Sequence, residues 1–292
     1  MAIAVSLHTL IHGEGFPILC LHGHPGMGSS MSVFTQHLAQ RFKTLAPDLR
    51  GYGNSQVSQD FVITDHLIDL EQVLEQHQID RCLVLGWSLG GIVGLELALK
   101  HPDRVSGLVL VASAARPWGD HPPITWQDNL FTGLAAIGNW LTPGNPWIID
   151  ALGQRSLFRY LVRQHTPTTY RYLAQETTAA YLKTSGQATR ALSVALQTRY
   201  NRLADLATIE CPCLVLAGSD DRHIAAAASQ ETAAHLPRAD WRCYPNTAHL
   251  FPWEIPTQVL ADIDAWIDQH PEVVAFRESQ GSCPQAVNGV EV

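Results

Sequence analysis

Short apolar runs alternate with segments of helical period through most of this 292-residue chain, and this alternation constrains the fold more than any other feature. The pattern is typical of a mainly parallel sheet that is covered by helices on both faces. It predicts strands at 1–10, 18–21, 44–47, 82–85, 107–111, 213–217 and 241–244. Helices are predicted at 30–40, 64–77, 91–100, 225–235 and 256–269. The sequence therefore predicts an α/β fold.

The alternation is interrupted between residues 117 and 204. This stretch is rich in proline and aromatic residues, and its pattern becomes helical from 171 to 200. We interpret it as a helical cap insertion over a core formed by residues 1–116 and 205–276. Most of its aromatic side chains are expected to form a small core of their own, and one or two to line a pocket. The polar tail, residues 277–292, is predicted to be disordered.

Charge and hydropathy disfavour several classes of partner. Lys and Arg number 19 against 27 Asp and Glu, which gives a net charge of −8, and no basic cluster stands out. We therefore expect neither nucleic acid nor a membrane as a partner. The first ten residues lack the basic segment and cleavage site of a signal peptide, so a cytoplasmic protein is predicted. The oligomeric state stays open.

The six cysteines and fourteen histidines do not predict a metal site. Most of the cysteines lie inside or beside apolar runs, where buried free thiols are expected. His8 and His12 are four residues apart in a strand-like segment, which places them too far apart to bind one ion easily. We expect no metal and no cofactor.

One serine stands where a predicted strand turns sharply into a predicted helix. The pentapeptide G-W-S-L-G at 86–90 follows the run 82–85 and precedes the helical segment 91–100. This context exposes a serine hydroxyl at the tip of the turn, and the small flanking residues leave room for it. The pattern is weak alone, because small residues are common in turns. Ser88 is a candidate nucleophile if the chain also supplies a base, an acid and an oxyanion hole.

A base and an acid follow Ser88 along the chain. His249 lies in a loop after the last predicted strand, at the sheet edge where ligands bind in open α/β sheets. Asp220 and Asp221 follow the preceding strand, and by composition either could orient the imidazole. The imidazole would take the serine proton, and the carboxylate would fix its tautomer. These residues predict a triad in the order serine, aspartate, histidine.

An oxyanion hole needs backbone N–H groups that face the developing negative charge. Leu89, the residue after the serine, supplies one of them. The loop H-G-H-P-G at 22–26 supplies another, and His24 is the better donor because Pro25 has no N–H. The side chains of His22 and His24 are expected to brace this loop, with substrate contact as the alternative. Trp87 and His22 are the candidate substrate-binding residues.

Together these segments resemble the α/β-hydrolase superfamily from about residue 5 to about residue 270. The loop at 22–26 resembles its oxyanion loop, and D-L-R-G-Y-G-N-S at 48–55 resembles another family segment. His249, followed by Glu254 and Pro256, resembles the histidine loop. G-x-x-D at 218–221 resembles the acid position, which selects Asp221 over Asp220. The resemblance implies a mostly parallel, eight-stranded sheet flanked by helices.

Two departures from the family pattern bear on function. Ala248 stands where many members have glycine, which is tolerated unless this residue needs a positive φ. The segments 22–26 and 48–55 are similar to those of epoxide hydrolases and haloalkane dehalogenases, which use an aspartate nucleophile. Position 88 is serine, so those reactions are disfavoured. The segment 85–91 is similar to that of pimeloyl-acyl-carrier-protein methyl ester esterases.

The resemblance implies a serine hydrolase that cleaves a small-molecule carboxylic ester, or a related acyl substrate, through an acyl-enzyme. Three alternatives keep the triad: hydrolysis of a carbon–carbon bond, hydrolysis of an enol-lactone, and a lyase step in menaquinone synthesis. A fourth is a receptor that binds a hydrophobic ligand without turnover. The insertion is expected to decide among them.

Overall fold

A computed structural model describes residues 3–120 and 122–276, without the side chains of 175–178. The tail that the sequence predicts to be disordered, together with Cys283, lies outside the described residues. The other five cysteines are free thiols. Cys20, Cys82 and Cys213 are buried as expected, whereas Cys243 is exposed although it lies in a strand.

Seven strands form a single sheet in the described part of the chain. They are β1 (Thr9–His12), β2 (Pro17–Leu21), β3 (Lys43–Pro47), β4 (Cys82–Trp87), β5 (Val105–Val111), β6 (Cys213–Gly218) and β7 (Ala239–Tyr244). Their spatial order is β1-β3-β2-β4-β5-β6-β7. Only β1 is antiparallel to its neighbour, and the other five pairings are parallel. The expected α/β class with a mostly parallel sheet is confirmed.

The described sheet has one strand fewer than the eight that the resemblance implies, and the first predicted strand is displaced. Residues 1–10 were expected to form it, whereas β1 begins at Thr9. In the preceding segment, the His8 carbonyl accepts the N–H of Asp48, and the N–H groups of two residues donate to side chains. The N–H of Val5 donates to Asp69 (2.7 Å), and the N–H of His8 donates to the Ser55 hydroxyl (2.9 Å). Alternating apolar residues do not reveal such partners.

Helices cover both faces of the sheet. Those of the core are α1 (Ser32–Leu38), α2 (Asp65–Gln76), α3 (Leu89–Lys100), α9 (Ala226–His235), α10 (Phe251–Glu254) and α11 (Pro256–Gln269). Five more, between β5 and β6, are α4 (Trp126–Leu141), α5 (Pro146–Ala151), α6 (Phe158–Leu161), α7 (Pro167–Leu182) and α8 (Gly186–Gln197). These five lie within residues 117–204, and the division into core and cap stays a prediction.

The core consists of two apolar layers, one on each face of the sheet. Strand side chains alternate between the layers, as the two-residue period of a strand requires. In β4, Val84 packs with α2 and α3, whereas Leu83 and Leu85 pack with α1 and α11. The strands β2, β4, β5 and β6 are buried throughout. Their continuous burial explains why uninterrupted apolar runs marked them in the sequence.

Candidate active site

Ser88 occupies a sharp turn between β4 and α3. Its backbone has φ 54° and ψ −117°, an uncommon conformation for a residue with a side chain. The Ser88 N–H donates to the carbonyl of Val111 on β5 (2.9 Å), which ties the turn to the sheet. A Cβ at Gly90 would lie 2.0 Å from the carbonyl oxygen of Leu21. Glycine at position 90, two residues after the serine, therefore lets the start of α3 lie against the end of β2.

Ser88, His249 and Asp221 form a continuous chain of hydrogen-bonding groups. The Ser88 Oγ lies 3.1 Å from Nε2 of His249, and Nδ1 of the same ring lies 2.8 Å from Oδ2 of Asp221. Oδ1 of Asp221 accepts the N–H groups of His223 (2.8 Å) and Ile224 (3.0 Å). All three side chains are buried. The structure therefore brings together the three residues that the sequence predicts as a triad.

Asp220, the other candidate acid, points elsewhere. Its carboxylate is 43 % exposed and pairs with Nε of Arg163 at 3.0 Å. It also accepts the hydroxyl of Ser219. Since no bond joins it to His249, the geometry favours Asp221 as the acid.

The loop that carries His249 is held by a buried glutamate at the end of α10. Oε1 of Glu254 accepts the N–H of Ala248 (2.9 Å), and Oε2 accepts the N–H groups of Arg163 (3.1 Å) and Gln164 (2.6 Å). Burial raises the pKa of Glu254, although these three N–H groups act in the opposite direction. Of the described residues in this loop, Asn246 has a positive φ and Ala248 does not. An alanine before the histidine is therefore tolerated.

The loop at 22–26 lies against the turn of Ser88. A Cβ at Gly23 would lie 3.1 Å from that of Ser88. His22 is fully buried; its Nδ1–H donates to the Gly23 carbonyl (2.8 Å), and its Nε2 accepts the N–H of Leu49 (3.0 Å). Burial lowers the pKa of His22 to about 4, which keeps the ring neutral. Both ring nitrogens are thus engaged by backbone, so the geometry favours bracing over the substrate contact proposed for His22.

The side chain of His24 contacts Tyr52, with Nδ1 2.9 Å from the phenol oxygen. Burial lowers the pKa of His24 to about 4. No acceptor for its backbone N–H is present among the described residues. Leu89 is the first residue of α3, and the first N–H groups of a helix have no partner within it. Both predicted oxyanion donors are therefore uncommitted in the part of the chain that the structure describes.

Comparison with known proteins settles the family. The family model described as the alpha/beta hydrolase fold matches residues 17–256. The chain belongs to the α/β-hydrolase fold family. It is therefore an enzyme of the hydrolase class.

Several relatives of this hydrolase have named activities. A pimeloyl-[acyl-carrier protein] methyl ester esterase of Nitrosomonas europaea is 29% identical over 275 residues, which cover 89% of this chain and 99% of the relative. A 2-hydroxymuconate semialdehyde hydrolase of a Pseudomonas species is 36% identical over 122 residues, or 38% of this chain and 42% of that one. Among solved structures, a thermophilic esterase from Thermogutta terrifontis matches with a TM-score of 0.70 and 25% identity, over 92% of this chain and 94% of the esterase.

Aromatic side chains surround His249 of the hydrolase. The ring of Trp87 lies 5.7 Å from that of His249 and 4.7 Å from that of Trp253, measured between centroids. The Trp87 Nε1–H is buried without a hydrogen-bond acceptor among the described residues. The exposed ring of His223 meets His249 edge to face at 4.8 Å. His223 and Trp253 could not be predicted from the sequence, because neither belongs to a motif or to a regular spacing.

The family segment at 48–55 braces the site without entering it. Oδ1 of Asp48 accepts the N–H of Gly28 (2.6 Å), and Oδ2 accepts that of Asn54 (2.8 Å). Arg50 makes a two-pronged ion pair with Asp69 on α2, at 2.6 and 2.7 Å. Both carboxylates are buried. These charged residues therefore hold the loops behind the oxyanion loop in place.

Two surface cavities, of about 360 and about 600 Å3, lie away from the triad. Both are bordered by Arg199, Tyr200 and Asn201, at the end of the insertion, and neither is bordered by Ser88 or His249. We assign the chemistry to Ser88, because its nucleophile, base and acid are in contact and the cavities offer no such set. In residues 3–120 and 122–276, no three potential metal-ligating side chains are grouped.

Proposed function

We propose that this hydrolase is a serine esterase that cleaves a carboxylic ester through an acyl-enzyme. The observation that carries the proposal is the hydrogen-bonded series from the Ser88 hydroxyl through His249 to Asp221. A hydroxyl next to a neutral imidazole whose tautomer is fixed by a buried carboxylate can lose its proton as it attacks a carbonyl carbon.

The reaction runs in two halves. In the first half, Nε2 of His249 takes the proton of Ser88, the hydroxyl oxygen attacks the ester carbonyl, and the imidazolium returns the proton to the departing alcohol. In the second half, the same nitrogen deprotonates a water molecule that attacks the acyl-enzyme, and Ser88 is released with its proton. Asp221 stays ionised throughout and stabilises the imidazolium.

We assign the developing oxyanion to two backbone N–H groups, those of Leu89 and His24. Leu89 begins α3, so the partial positive charge at the helix N-terminus strengthens the attraction of its N–H for the oxyanion. His24 contributes through a loop that His22 and Asp48 hold rigid. A preformed pair of donors stabilises the tetrahedral intermediate without having to reorganise during the reaction.

Trp87 is the proposed substrate contact. Its ring forms an apolar surface beside His249, and its buried Nε1–H lacks an acceptor in the described structure. A buried donor of this kind gains a hydrogen bond when a substrate oxygen enters. His22 is withdrawn from the substrate contacts, since both of its nitrogens are engaged.

An ester is favoured over the carbon–carbon and enol-lactone substrates because a relative that matches over 99% of its own length is named as an esterase. The relative named as a semialdehyde hydrolase matches over 38% of this chain. The substrate proposed is thus a carboxylic ester, and the cytoplasmic location stays a prediction of the sequence.

Partitioning between water and methanol tests the acyl-enzyme. Acetate esters of p-nitrophenol, phenol and a p-substituted phenol of intermediate acidity are hydrolysed in the presence of methanol, and the ratio of methyl acetate to acetate is measured. A shared acyl-enzyme predicts one ratio for all three leaving groups, and no enzymatic product from Ser88→Ala. A ratio that changes with the leaving group would show that water and methanol attack the ester directly, and would contradict the proposal.

A further inference from the structure

The helix α4 carries an apolar stripe on its solvent-facing side. The stripe consists of Trp126, Leu130, Leu134, Ile137 and Leu141, with Trp140 beside it, and these side chains are 45–72 % exposed. Their spacings of four, four, three and four residues place them on one face of a helix. Trp147, on the next helix, is also 69 % exposed. Soluble monomers rarely expose a continuous patch of this many large apolar side chains unless the patch binds a partner.

The orientation of α4 is fixed by buried polar side chains on its opposite face. Asp128 pairs with Arg159 and caps the helix through Thr125. Near the other end, the amide of Asn139 donates to the carbonyl of Tyr170 (2.7 Å) and accepts the N–H of Gly144 (2.9 Å). Rotating the helix to bury the stripe would break these bonds and leave buried polar groups unpaired. The apolar face is therefore held towards solvent.

The exposed face resembles a surface that enters the boundary between water and lipid. The only charged residue of α4 is Asp128, which is buried, so contact of the stripe with lipid would desolvate no charge. Trp126 and Trp140 mark the two ends of the stripe, and indole rings favour the level of lipid headgroups. The helix has 16 residues, about 24 Å, and no helix in the described ranges is long and apolar enough to span a membrane. It suits a position parallel to the surface.

Charge is distributed unevenly along the chain. Residues 117–204 contain eight Lys and Arg against four Asp and Glu, a net charge of +4. The remaining residues carry 11 basic and 23 acidic side chains, a net charge of −12. Arg155 lies in a turn that packs on α4, and Arg171 lies beside Gly144, just after α4. Arg163, Arg190 and Arg202 of this segment pair with carboxylates outside it, whereas Arg155 and Arg171 make no ion pair with the described residues. The apolar face therefore belongs to a segment of net positive charge in an acidic chain.

We propose that the exposed face of α4 docks on an anionic lipid surface. The apolar stripe enters the headgroup region, and exposed arginines of the same segment, Arg155 and Arg171, approach the lipid phosphates. A symmetric contact between two copies would bring two segments of positive net charge together, which disfavours a second copy as the occupant. A membrane surface was not expected as a partner, because the whole chain is acidic; docking would depend instead on the local charge of residues 117–204.

Sedimentation with vesicles of phosphatidylcholine, alone or with 30 % phosphatidylglycerol, tests the docking. We expect the full chain to sediment with the anionic vesicles and to be released by salt. Trp126→Ser with Trp140→Ser should weaken the partitioning at least about tenfold. Arg155→Glu with Arg171→Glu should weaken it on anionic vesicles only. The matched control, Ile3→Ser with Val62→Ser, removes apolar side chains that are 84 % and 53 % exposed outside the insertion and should bind as the unmodified chain does.

Quenching of tryptophan fluorescence by brominated lipid gives a second readout that needs no variant. Docking predicts quenching on the anionic vesicles. Absence of sedimentation and of quenching would overturn the proposal. A dimer that forms without lipid, and that dissociates in the Trp126→Ser, Trp140→Ser variant, would replace lipid by a second copy and would also overturn it. The docking does not depend on turnover, so the variant Ser88→Ala should bind lipid equally well.

Discussion

Oδ2 of Asp221 lies 2.8 Å from Nδ1 of His249, in a site where the neighbouring Asp220 makes no bond to that ring. Asp221→Asn is expected to lower kcat/KM for a p-nitrophenyl ester about a thousandfold or more, because the amide would favour the wrong tautomer of the histidine. Asp220→Asn is the matched control, because it breaks only a surface ion pair with Arg163. It should change kcat/KM less than about threefold. Equal losses would show that the acid is wrongly assigned.

The Glu254 carboxylate positions the loop of His249 through backbone N–H groups. In the unmodified chain, both oxygens of Glu254 accept hydrogen bonds from backbone N–H groups. In Glu254→Gln, the side-chain NH2 would replace one of these oxygens, so that two donors would face each other. We expect the free energy of unfolding to fall by about 1–3 kcal/mol. We also expect kcat to fall more than KM rises, because the imidazole is displaced from Ser88. Urea unfolding and steady-state kinetics measure the two effects.

The control for this variant is Glu272→Gln, which alters an exposed carboxylate that pairs with Arg238. It should leave both kcat and the unfolding midpoint nearly unchanged. A Glu254→Gln enzyme with the kcat of the unmodified chain would refute the positioning role.

Buried histidines should make the fold sensitive to acid. Burial lowers the pKa of His22 to about 4 and that of His66 to about 3. In the unfolded chain both ionise near pH 6.5, so the unfolded state binds more protons below that pH. The free energy of unfolding should therefore be highest above about pH 6.5. Below that pH it should fall towards pH 4, by roughly 1.4 kcal/mol per pH unit for each histidine.

His66→Leu isolates one of these contributions. Nδ1 of His66 is buried without a partner among the described residues, so the substitution leaves no hydrogen bond unmet at that atom. Urea unfolding at pH 7.5, 6 and 5 should show a shallower loss of stability in the variant. Parallel curves for the two proteins would contradict the assignment.

The indole N–H of Trp87 is proposed to meet the substrate. Trp87→Phe keeps a ring beside His249 and removes the buried, unpaired donor. We expect KM for an ester to rise several-fold with kcat nearly unchanged. The unfolding midpoint should fall only by the small amount due to the loss of ring area, because the removed donor has no partner in the described structure. Trp241→Phe, in β7, is the control for losing an indole elsewhere. An unchanged KM in Trp87→Phe would refute the contact.

The buried strands and the helices between them could be predicted because their signals are local. An apolar run such as 82–85 marks a fully buried strand, and α11 was predicted with the bounds that the structure has, Pro256–Gln269. The conformation of the segment before Thr9 could not be predicted, because its backbone N–H groups bond to Asp69 and Ser55, which are far away in the chain. Sequence pattern contains no information on partners of that kind.

In the candidate site too, some features could be predicted from local sequence signals and others could not. The order of Ser88, Asp221 and His249 could be read from motifs, and their contacts agree with it. His223 and the outward face of α4 could not be predicted. The first depends on how the loop after Asp221 folds, and the second on buried bonds of Asp128 and Asn139 that turn the apolar side of the helix towards solvent.

Labelling by a fluorophosphonate tests whether Ser88 is an activated nucleophile, since this reagent phosphonylates a serine only when a neighbouring base activates it. We expect one covalent adduct per chain, located by mass spectrometry on the peptide that contains Ser88, and no adduct in Ser88→Ala or His249→Ala. Failure of the folded, unmodified chain to react, or an adduct that persists in Ser88→Ala, would contradict this assignment.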